Sequence, residues 1–292
     1  MSRLERVLGA ALLLAAAGCA RTGERPLRIG SKNFTEQVIL GEIAAQALER
    51  AGVAVERKLD LGGTFVCHRA LVAGELDLYP EYTGTAFTAI LQQKPISDPA
   101  RVRETVAREY RRRWKLEWSP PLGFENTFAL VMRGEQAREL GIRKISDLSR
   151  YGDRLRPGFG YEFLERADGF PGLAAAYGLR FAARPVEMDL GLLYPALEQG
   201  KVDVVAGNST DGLIAAMGLV VLEDDRRYFP PYEAAFVVGG EAWSRAPVRA
   251  ALDPLAGRIT VEAMRKMNAA VDRDRRRPED VAREFLGGLN KR

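Results

Sequence analysis

The sequence contains little histidine and little cysteine. Its 292 residues include one histidine, His68, and two cysteines, Cys19 and Cys67. A single imidazole excludes a metal site built on two histidines, and two cysteines exclude a disulfide scaffold. We therefore expect no metal. We also expect no cofactor, because Gly158-Phe159-Gly160 lacks the third glycine of a dinucleotide-binding loop and the sequence has no phosphate-loop pattern.

The sequence also lacks a large excess of charge of one sign. It has 43 basic and 39 acidic residues and a net charge of +4, which argues against a nucleic-acid partner. A hydrophobic fraction of 47% with 28% charged residues is ordinary for a globular protein and excludes disorder, and the length suggests about two domains. No nucleophile-elbow motif accompanies the single histidine, so we expect no catalytic residues and no enzyme.

The apolar run at the start of the chain is too short to cross a membrane. Residues 7–18 contain only Val, Leu, Gly and Ala, and a membrane span needs about 20 residues. The run is typical of an export signal, and Ala16-Ala17-Gly18-Cys19 resembles a bacterial lipoprotein cleavage box. We therefore predict a lipoprotein signal peptide at 1–18, lipidation of Cys19 and a tether at 19–26. A plain signal cut after Ala17 is the alternative.

Strand and helix patterns alternate along the rest of the chain. Strands are predicted at 27–30, 53–61 and 76–78. Asn33 and Glu36 have the spacing of a helix cap with a carboxylate at the third helical position, followed by an apolar stripe of helical period. This alternation predicts an α/β fold with parallel strands.

One nine-residue pattern occurs twice. Residues 70–78 and 196–204 both read Ala-Leu-x-x-Gly-x-Φ-Asp-Φ, where Φ is Leu or Val. Each copy predicts a helix end, a glycine cap and a buried strand, and each continues into a turn, at 79–84 and 207–212. Two similar lobes would place these turns on opposite sides of one cleft, because ligands of α/β sheets bind at the carboxyl ends of strands. Chance similarity of two αβ units is the alternative.

Several motifs resemble the substrate-binding proteins of ABC importers for quaternary ammonium compounds, the glycine betaine/choline class. They are SKNFTEQ at 31–37, YPEYTGT at 79–85, EFL at 162–164 with RADG at 166–169, GLLY at 191–194, STDG at 209–212 and FPPY at 229–232. The resemblance covers about residues 27–290. It implies a two-lobed periplasmic-binding-protein fold of type II, with a hinge and a ligand cleft between the lobes. We assign 27–140 plus 230–292 to lobe 1 and 141–229 to lobe 2.

The resemblance also implies an aromatic cage. A trimethylammonium group makes no strong hydrogen bonds and is held best by aromatic faces. By motif position the cage consists of Tyr82, Phe128, Tyr194 and Tyr232. Phe128 follows Asn126-Thr127 where the family has Asn-Thr-Tyr, so it keeps the ring face and lacks the hydroxyl.

A carboxylate or polar end of the ligand needs hydrogen-bond donors. The resemblance assigns this end to Lys32, Thr85, Arg166, Gln37 and Asp211. Arg166, from the second lobe, is expected to bind a carboxylate bidentately and to help hold the closed state.

The function implied by the resemblance is solute capture without chemistry. We expect an extracytoplasmic binding protein, monomeric and anchored to the membrane by the lipid on Cys19, that works with the permease and ATPase subunits of an importer. The expected ligand is a quaternary ammonium zwitterion such as glycine betaine, or choline. Another trimethylammonium ligand, such as ergothioneine, is the alternative.

Overall fold

A computed structural model describes residues 25–289. The predicted signal peptide, Cys19 and most of the predicted tether lie outside the described residues. The strands are β1 Leu27–Lys32, β2 Val55–Gly62, β3 Leu78–Tyr82, β4 Leu116–Trp118, β5 Phe128–Arg133, β6 Pro157–Phe159, β7 Val186–Glu187, β8 Val204–Asn208, β9 Leu219–Val221 and β10 Ala234–Gly239.

The strands alternate with helices, as the sequence pattern predicts. The α-helices are α1 Thr35–Arg50, α2 Thr64–Val72, α3 Thr83–Thr85, α4 Pro99–Trp114, α5 Gly134–Leu140, α6 Tyr161–Glu165, α7 Phe170–Tyr177, α8 Leu193–Glu198, α9 Leu213–Ala216, α10 Gly240–Ser244, α11 Ala246–Leu252, α12 Val261–Asp272 and α13 Pro278–Leu289. A π-helical segment, Ala86–Ile90, continues α3. Among the helices formed by residues 25–289, none is long and apolar enough to cross a membrane.

The strands form two five-stranded sheets with the same arrangement. Their orders are β2-β1-β3-β10-β4 and β7-β6-β8-β5-β9. In each sheet the first three strands are parallel, and the fourth, β10 or β5, pairs antiparallel with the third. The two sheets are the centres of two α/β lobes, which confirms the predicted fold class.

The chain enters the second lobe earlier than the sequence analysis predicts. Strand β5 pairs with β8 and β9 of the second sheet, so residues 128–140 belong to lobe 2 and not to lobe 1. The chain returns between β9 and β10, close to the predicted boundary at 230. An apolar strand does not reveal its sheet by its own pattern, because its pairing partners lie far away in sequence.

The nine-residue repeat marks equivalent places in the two lobes. Its strands begin β3 and β8, each the third strand of its sheet. Asp77 accepts hydrogen bonds from the backbone N–H of Arg28 at 2.8 Å and from its Nε at 3.2 Å. Asp203 accepts the same two bonds from Arg156, at 3.0 and 2.9 Å. The shared carboxylate contacts support a true internal repeat over chance similarity.

The first helix has the predicted apolar face and a different start. Its buried residues, among them Ile39 and Ile43, form one core with the sheet and with helices α12 and α13, which pack on lobe 1 as predicted. Phe34 is the N-cap, and no side chain caps the helix. The predicted cap at Asn33 is therefore wrong, and Glu36 is free for another role.

The single histidine lies in an aromatic cluster of lobe 1. The ring of His68 packs edge-on against Trp114 at 4.6 Å and against Tyr110 at 5.4 Å between centroids. Burial lowers the pKa of His68 to about 4. The unfolded chain takes up this proton near pH 6.5, so we expect the free energy of unfolding to fall between about pH 6.5 and pH 4.

An NMR titration of the one imidazole in the chain measures this pKa directly. The substitution His68→Phe should remove the corresponding part of the pH dependence of unfolding. A pKa near 6.5 in the folded protein would contradict the burial of a neutral imidazole.

Candidate ligand-binding site

A cavity of about 760 Å³ lies between the two lobes. Tyr82 and Thr85, at the end of β3, lie on its lobe 1 side, and Asn208 and Asp211, at the end of β8, lie on its lobe 2 side. The two turns that follow the sequence repeat therefore meet across one cleft, as the sequence predicts. The volume is within the range of about 300–1,000 Å³ that is typical of small-molecule sites.

Four aromatic residues named by the sequence analysis line this cavity: Tyr82, Phe128, Tyr194 and Tyr232. Each of the three tyrosines donates its hydroxyl hydrogen bond to a carboxylate, at 2.5 to 2.6 Å. These bonds fix the orientation of the rings. A phenol that donates to a carboxylate also becomes more electron-rich, which favours contact between its ring and a cation.

Phe128 has no hydroxyl and is held by its neighbours. Its ring lies 4.9 Å from that of Phe163 and 6.2 Å from that of Tyr232, with the latter pair at 75°. The guanidinium carbon of Arg166 lies 4.9 Å from its ring centroid. A tyrosine hydroxyl is thus not needed to hold an aromatic ring at this position.

Glu36 joins the two lobes in the cavity wall. Its Oε1 accepts hydrogen bonds from the Tyr82 hydroxyl at 2.6 Å and the Asn126 amide at 2.9 Å. Its Oε2 accepts from Thr210 of lobe 2 at 2.5 Å and from Asn268 at 3.1 Å. Burial raises the pKa of Glu36, while the four donors favour its ionised form.

A second buried carboxylate, Asp168, makes another connection between the lobes. It accepts two hydrogen bonds from Arg166, at 2.9 and 2.6 Å, within lobe 2. It also accepts from the hydroxyls of Thr88 and Tyr232 of lobe 1, both at 2.6 Å. We call these four residues the interlobe latch. Burial alone would raise the pKa of Asp168, but Arg166 outweighs it, so the pKa is lowered.

Glu162 adds a third connection across the cleft. Its carboxylate accepts a hydrogen bond from the Thr64 hydroxyl at 2.9 Å and another from the Thr64 backbone N–H. Because Thr64 begins helix α2 of lobe 1, the structure describes the lobes in contact with each other.

Lys32 is paired inside the protein. Its ammonium lies 2.5 Å from Oε1 of Glu81, and both side chains are buried. The same ammonium lies 5.0 Å from the centroid of the Tyr82 ring. Lys32 lines the cavity as predicted, but an internal carboxylate neutralises it.

Of three further predicted residues, two line the cavity and one does not. Thr85 lines the cavity and accepts a hydrogen bond from Arg166 at 3.3 Å. Asp211 also lines it, accepts from the Tyr194 hydroxyl at 2.5 Å, and has a pKa raised to about 6 by burial. Gln37 is buried but is not among the lining residues. It follows Glu36 on helix α1, and one residue turns the side chain by about 100°.

The sequence analysis missed two polar residues that line this cavity, Glu36 and Asn126, and a third that connects the lobes, Asp168. All three lie inside motifs that carry the family resemblance. The spacing of Asn33 and Glu36 favours a helix cap for Glu36, and Asp168 stands two residues after Arg166 with the opposite charge. That charge pattern was the available signal for an internal ion pair.

A family model and several known proteins match the chain. Residues 25–288 match the OpuAC family model, described as the substrate binding domain of an ABC-type glycine betaine transport system. A glycine-betaine-binding protein of Pseudomonas aeruginosa is 38% identical, over 98% of this chain and 94% of its own length.

Another relative joins two functions in one longer protein. The ergothioneine transport permease/ergothioneine binding protein of Helicobacter pylori is 36% identical over 91% of this chain. The chain spans about half of that relative, 48% of its length.

A solved structure supports the fold. The crystal structure of a glycine betaine/carnitine/choline ABC transporter protein has a TM-score of 0.73 and 30% identity, and the match covers 90% of this chain and 98% of the other. The matched family is one of extracytoplasmic substrate-binding proteins of transport systems, not an enzyme family. The chain belongs to the OpuAC family of substrate-binding domains of ABC-type glycine betaine transport systems, and it has the two-lobed fold of type II periplasmic binding proteins.

Proposed function

We propose that this protein captures a quaternary ammonium compound in the cavity between its lobes and delivers it to the permease and ATPase subunits of an ABC importer. The observation that carries the proposal is the set of aromatic rings around the cavity, three of which are oriented by hydrogen bonds to carboxylates. Each aromatic face that contacts a desolvated cation contributes about 0.5–2 kcal/mol. The ligand chemistry of the Pseudomonas relative supports glycine betaine or a close analogue.

Ergothioneine is a second candidate ligand. The cavity of about 760 Å³ has room for a larger molecule than glycine betaine. The Helicobacter relative is named for ergothioneine, which also carries a trimethylammonium group. The change from the family tyrosine to Phe128 alters the cage at one wall and is consistent with a changed ligand.

A thermal-shift screen followed by calorimetry tests the proposal. The purified protein is mixed with glycine betaine, choline, carnitine and ergothioneine, and with glycine as a control that lacks the methyl groups. A ligand at 100 times its Kd stabilises a protein by about 2.7 kcal/mol, so the Tm should rise by several degrees. Glycine should give no shift. A protein that binds none of the four methylated compounds would overturn the proposal.

We also propose that the protein is a monomer held at the outer face of the membrane by a lipid on Cys19. The cleavage-box pattern at 16–19 supports this proposal. Mass spectrometry of the membrane-bound form should find the diacylglycerol modification on Cys19. In the Cys19→Ser variant the protein should leave the membrane fraction, and its retention there without modification would contradict the anchor.

A further inference from the structure

Large apolar side chains are exposed around the mouth of the cavity. Phe65 and Val66 of helix α2 in lobe 1 are each 40% exposed, and Tyr161 and Leu190 of lobe 2 are 58% and 37% exposed. All four line the same cavity as the cage, whose tyrosines are buried. We call these four residues the apolar mouth. Single exposed apolar side chains are ordinary, but a group of them at one cavity marks a binding surface.

The apolar mouth stays exposed although the lobes already touch each other. The hydrogen bond between Thr64 and Glu162 crosses the cleft, and Phe65 and Tyr161 are the chain neighbours of its two partners. Two further carboxylates also join the lobes inside the cleft. Contact between the lobes therefore does not bury these side chains, and a ligand in the cavity is what can cover them.

Two glycines let the lobe 2 wall of the mouth lie directly on the backbone. A Cβ atom on Gly160 would lie 2.5 Å from Cδ2 of Leu190, and one on Gly158 would lie 2.9 Å from Cε of Met188. Packed atoms do not approach so closely, so a larger residue at either position would displace these side chains. Met188 and Leu190 both line the cavity. The Gly158-Phe159-Gly160 segment thus makes room for an apolar wall of the ligand cavity.

The position of the mouth decides which part of a ligand can reach it. The cage rings surround the methyl groups, so the fourth substituent of the nitrogen must leave the cage. In glycine betaine this substituent is a methylene group that carries the carboxylate, and it has no further apolar part. A side chain on the same carbon would supply one. A cavity of about 760 Å³ has room for the ammonium group and such a side chain together.

We propose that the apolar mouth is a second subsite, which binds an apolar side chain on the carbon next to the ammonium group of the ligand. The preferred ligands are then N-trimethyl derivatives of apolar amino acids, and glycine betaine fills only the cage end of the cavity. Binding removes both the ligand side chain and the mouth residues from water, which is favourable in proportion to the apolar area covered. This inference rests on the proposed function, because it names the ligands of the same site.

Calorimetry on the purified protein compares glycine betaine with the N-trimethyl derivatives of leucine and of asparagine. All three share the ammonium group and the carboxylate, and the leucine and asparagine side chains are similar in size. We expect the leucine derivative to bind at least tenfold more tightly than glycine betaine, the equivalent of about 1.4 kcal/mol. The asparagine derivative should bind no more tightly than glycine betaine, because an apolar wall does not replace the water that an amide loses.

Variants identify the residues responsible. Phe65→Ala and Leu190→Ala should each reduce the ratio of the leucine-derivative affinity to the glycine betaine affinity by about threefold or more. Leu192→Ala and Val72→Ala shorten exposed apolar side chains that are not among the lining residues, so both should leave the ratio unchanged. The Tm of each variant without ligand checks that it folds.

The possible outcomes separate the two proposals. If glycine betaine binds and the leucine derivative binds less than tenfold more tightly, the apolar subsite is overturned and the proposed function stands. The same holds if the asparagine derivative binds as tightly as the leucine derivative. If the leucine derivative has its advantage and neither Phe65→Ala nor Leu190→Ala reduces it, the assignment to the apolar mouth is overturned. If no trimethylammonium compound binds, the proposed function fails and the inference fails with it.

Discussion

An Asp168→Asn substitution is expected to lower the affinity for the ligand by about 100-fold, the equivalent of about 2.7 kcal/mol. The carboxylate is fully buried and is the partner of a buried guanidinium, that of Arg166. Removing one partner of a buried ion pair costs about 3–5 kcal/mol, because the other charge is left without compensation. The substitution also weakens the contacts to Thr88 and Tyr232, which exist only when the lobes meet. Much of this loss of free energy therefore destabilises the closed state that holds the ligand.

Asp203→Asn is a matched control in the same lobe. Asp203 is also buried and also accepts hydrogen bonds from arginines, Arg133 and Arg156, but all of these partners belong to lobe 2. This variant should lower the free energy of unfolding and leave the Kd within about twofold. Calorimetry measures the affinity, and small-angle scattering with and without ligand measures closure. An Asp168→Asn protein that loses stability but keeps its affinity would show that the latch does not contribute to closure.

The parts of the fold that depend on local pattern could be predicted from the sequence. The repeat at 70–78 and 196–204 identified two strands and their equivalence, because helix end, glycine cap and strand follow one another directly. The sheet to which β5 belongs could not be predicted in this way. Its pattern of apolar residues suits either sheet, and only the distant strand β8 decides between them.

The aromatic residues of the cavity could also be predicted from local motifs, whereas its polar residues could not. The aromatic residues were predicted by motif position, and all four line the cavity. The polar residues depend on how helix α1 is turned relative to lobe 2. This rotation places Glu36 in the cavity wall and Gln37 behind it, and no local pattern distinguishes the two.

The assignment of charge roles needed the structure most. The family motifs predict Lys32 and Arg166 as donors to a ligand, and both side chains are basic. Their partners also lie in family motifs, Asp168 in the same motif as Arg166 and Glu81 in the separate motif at 79–85. Whether a buried base serves the ligand or a neighbouring acid depends on distances of a few ångströms, which a sequence does not contain.

Tyr82→Ala is expected to weaken ligand binding at least tenfold, or by about 1.4 kcal/mol or more. The ring supplies one wall of the cage, and its loss removes one cation contact together with the burial of an aromatic face. It also removes the donor that Tyr82 gives to Glu36, so two contributions are lost at once.

Tyr82→Phe separates these contributions. The ring remains, while Glu36 keeps only three of its four hydrogen-bond donors. We expect this variant to lose less affinity than Tyr82→Ala, and the difference between the two variants measures the contact of the ring. Tyr177→Phe removes another buried hydroxyl bound to a carboxylate, that of Asp224 in lobe 2, and should leave the affinity unchanged. If Tyr82→Ala binds the ligand as well as the unmodified protein does, the ring is not part of the cage. The cation must then lie among the rings of Phe128, Tyr194 and Tyr232, and the ring of Tyr82 would contact only the ammonium of Lys32, 5.0 Å from its centroid.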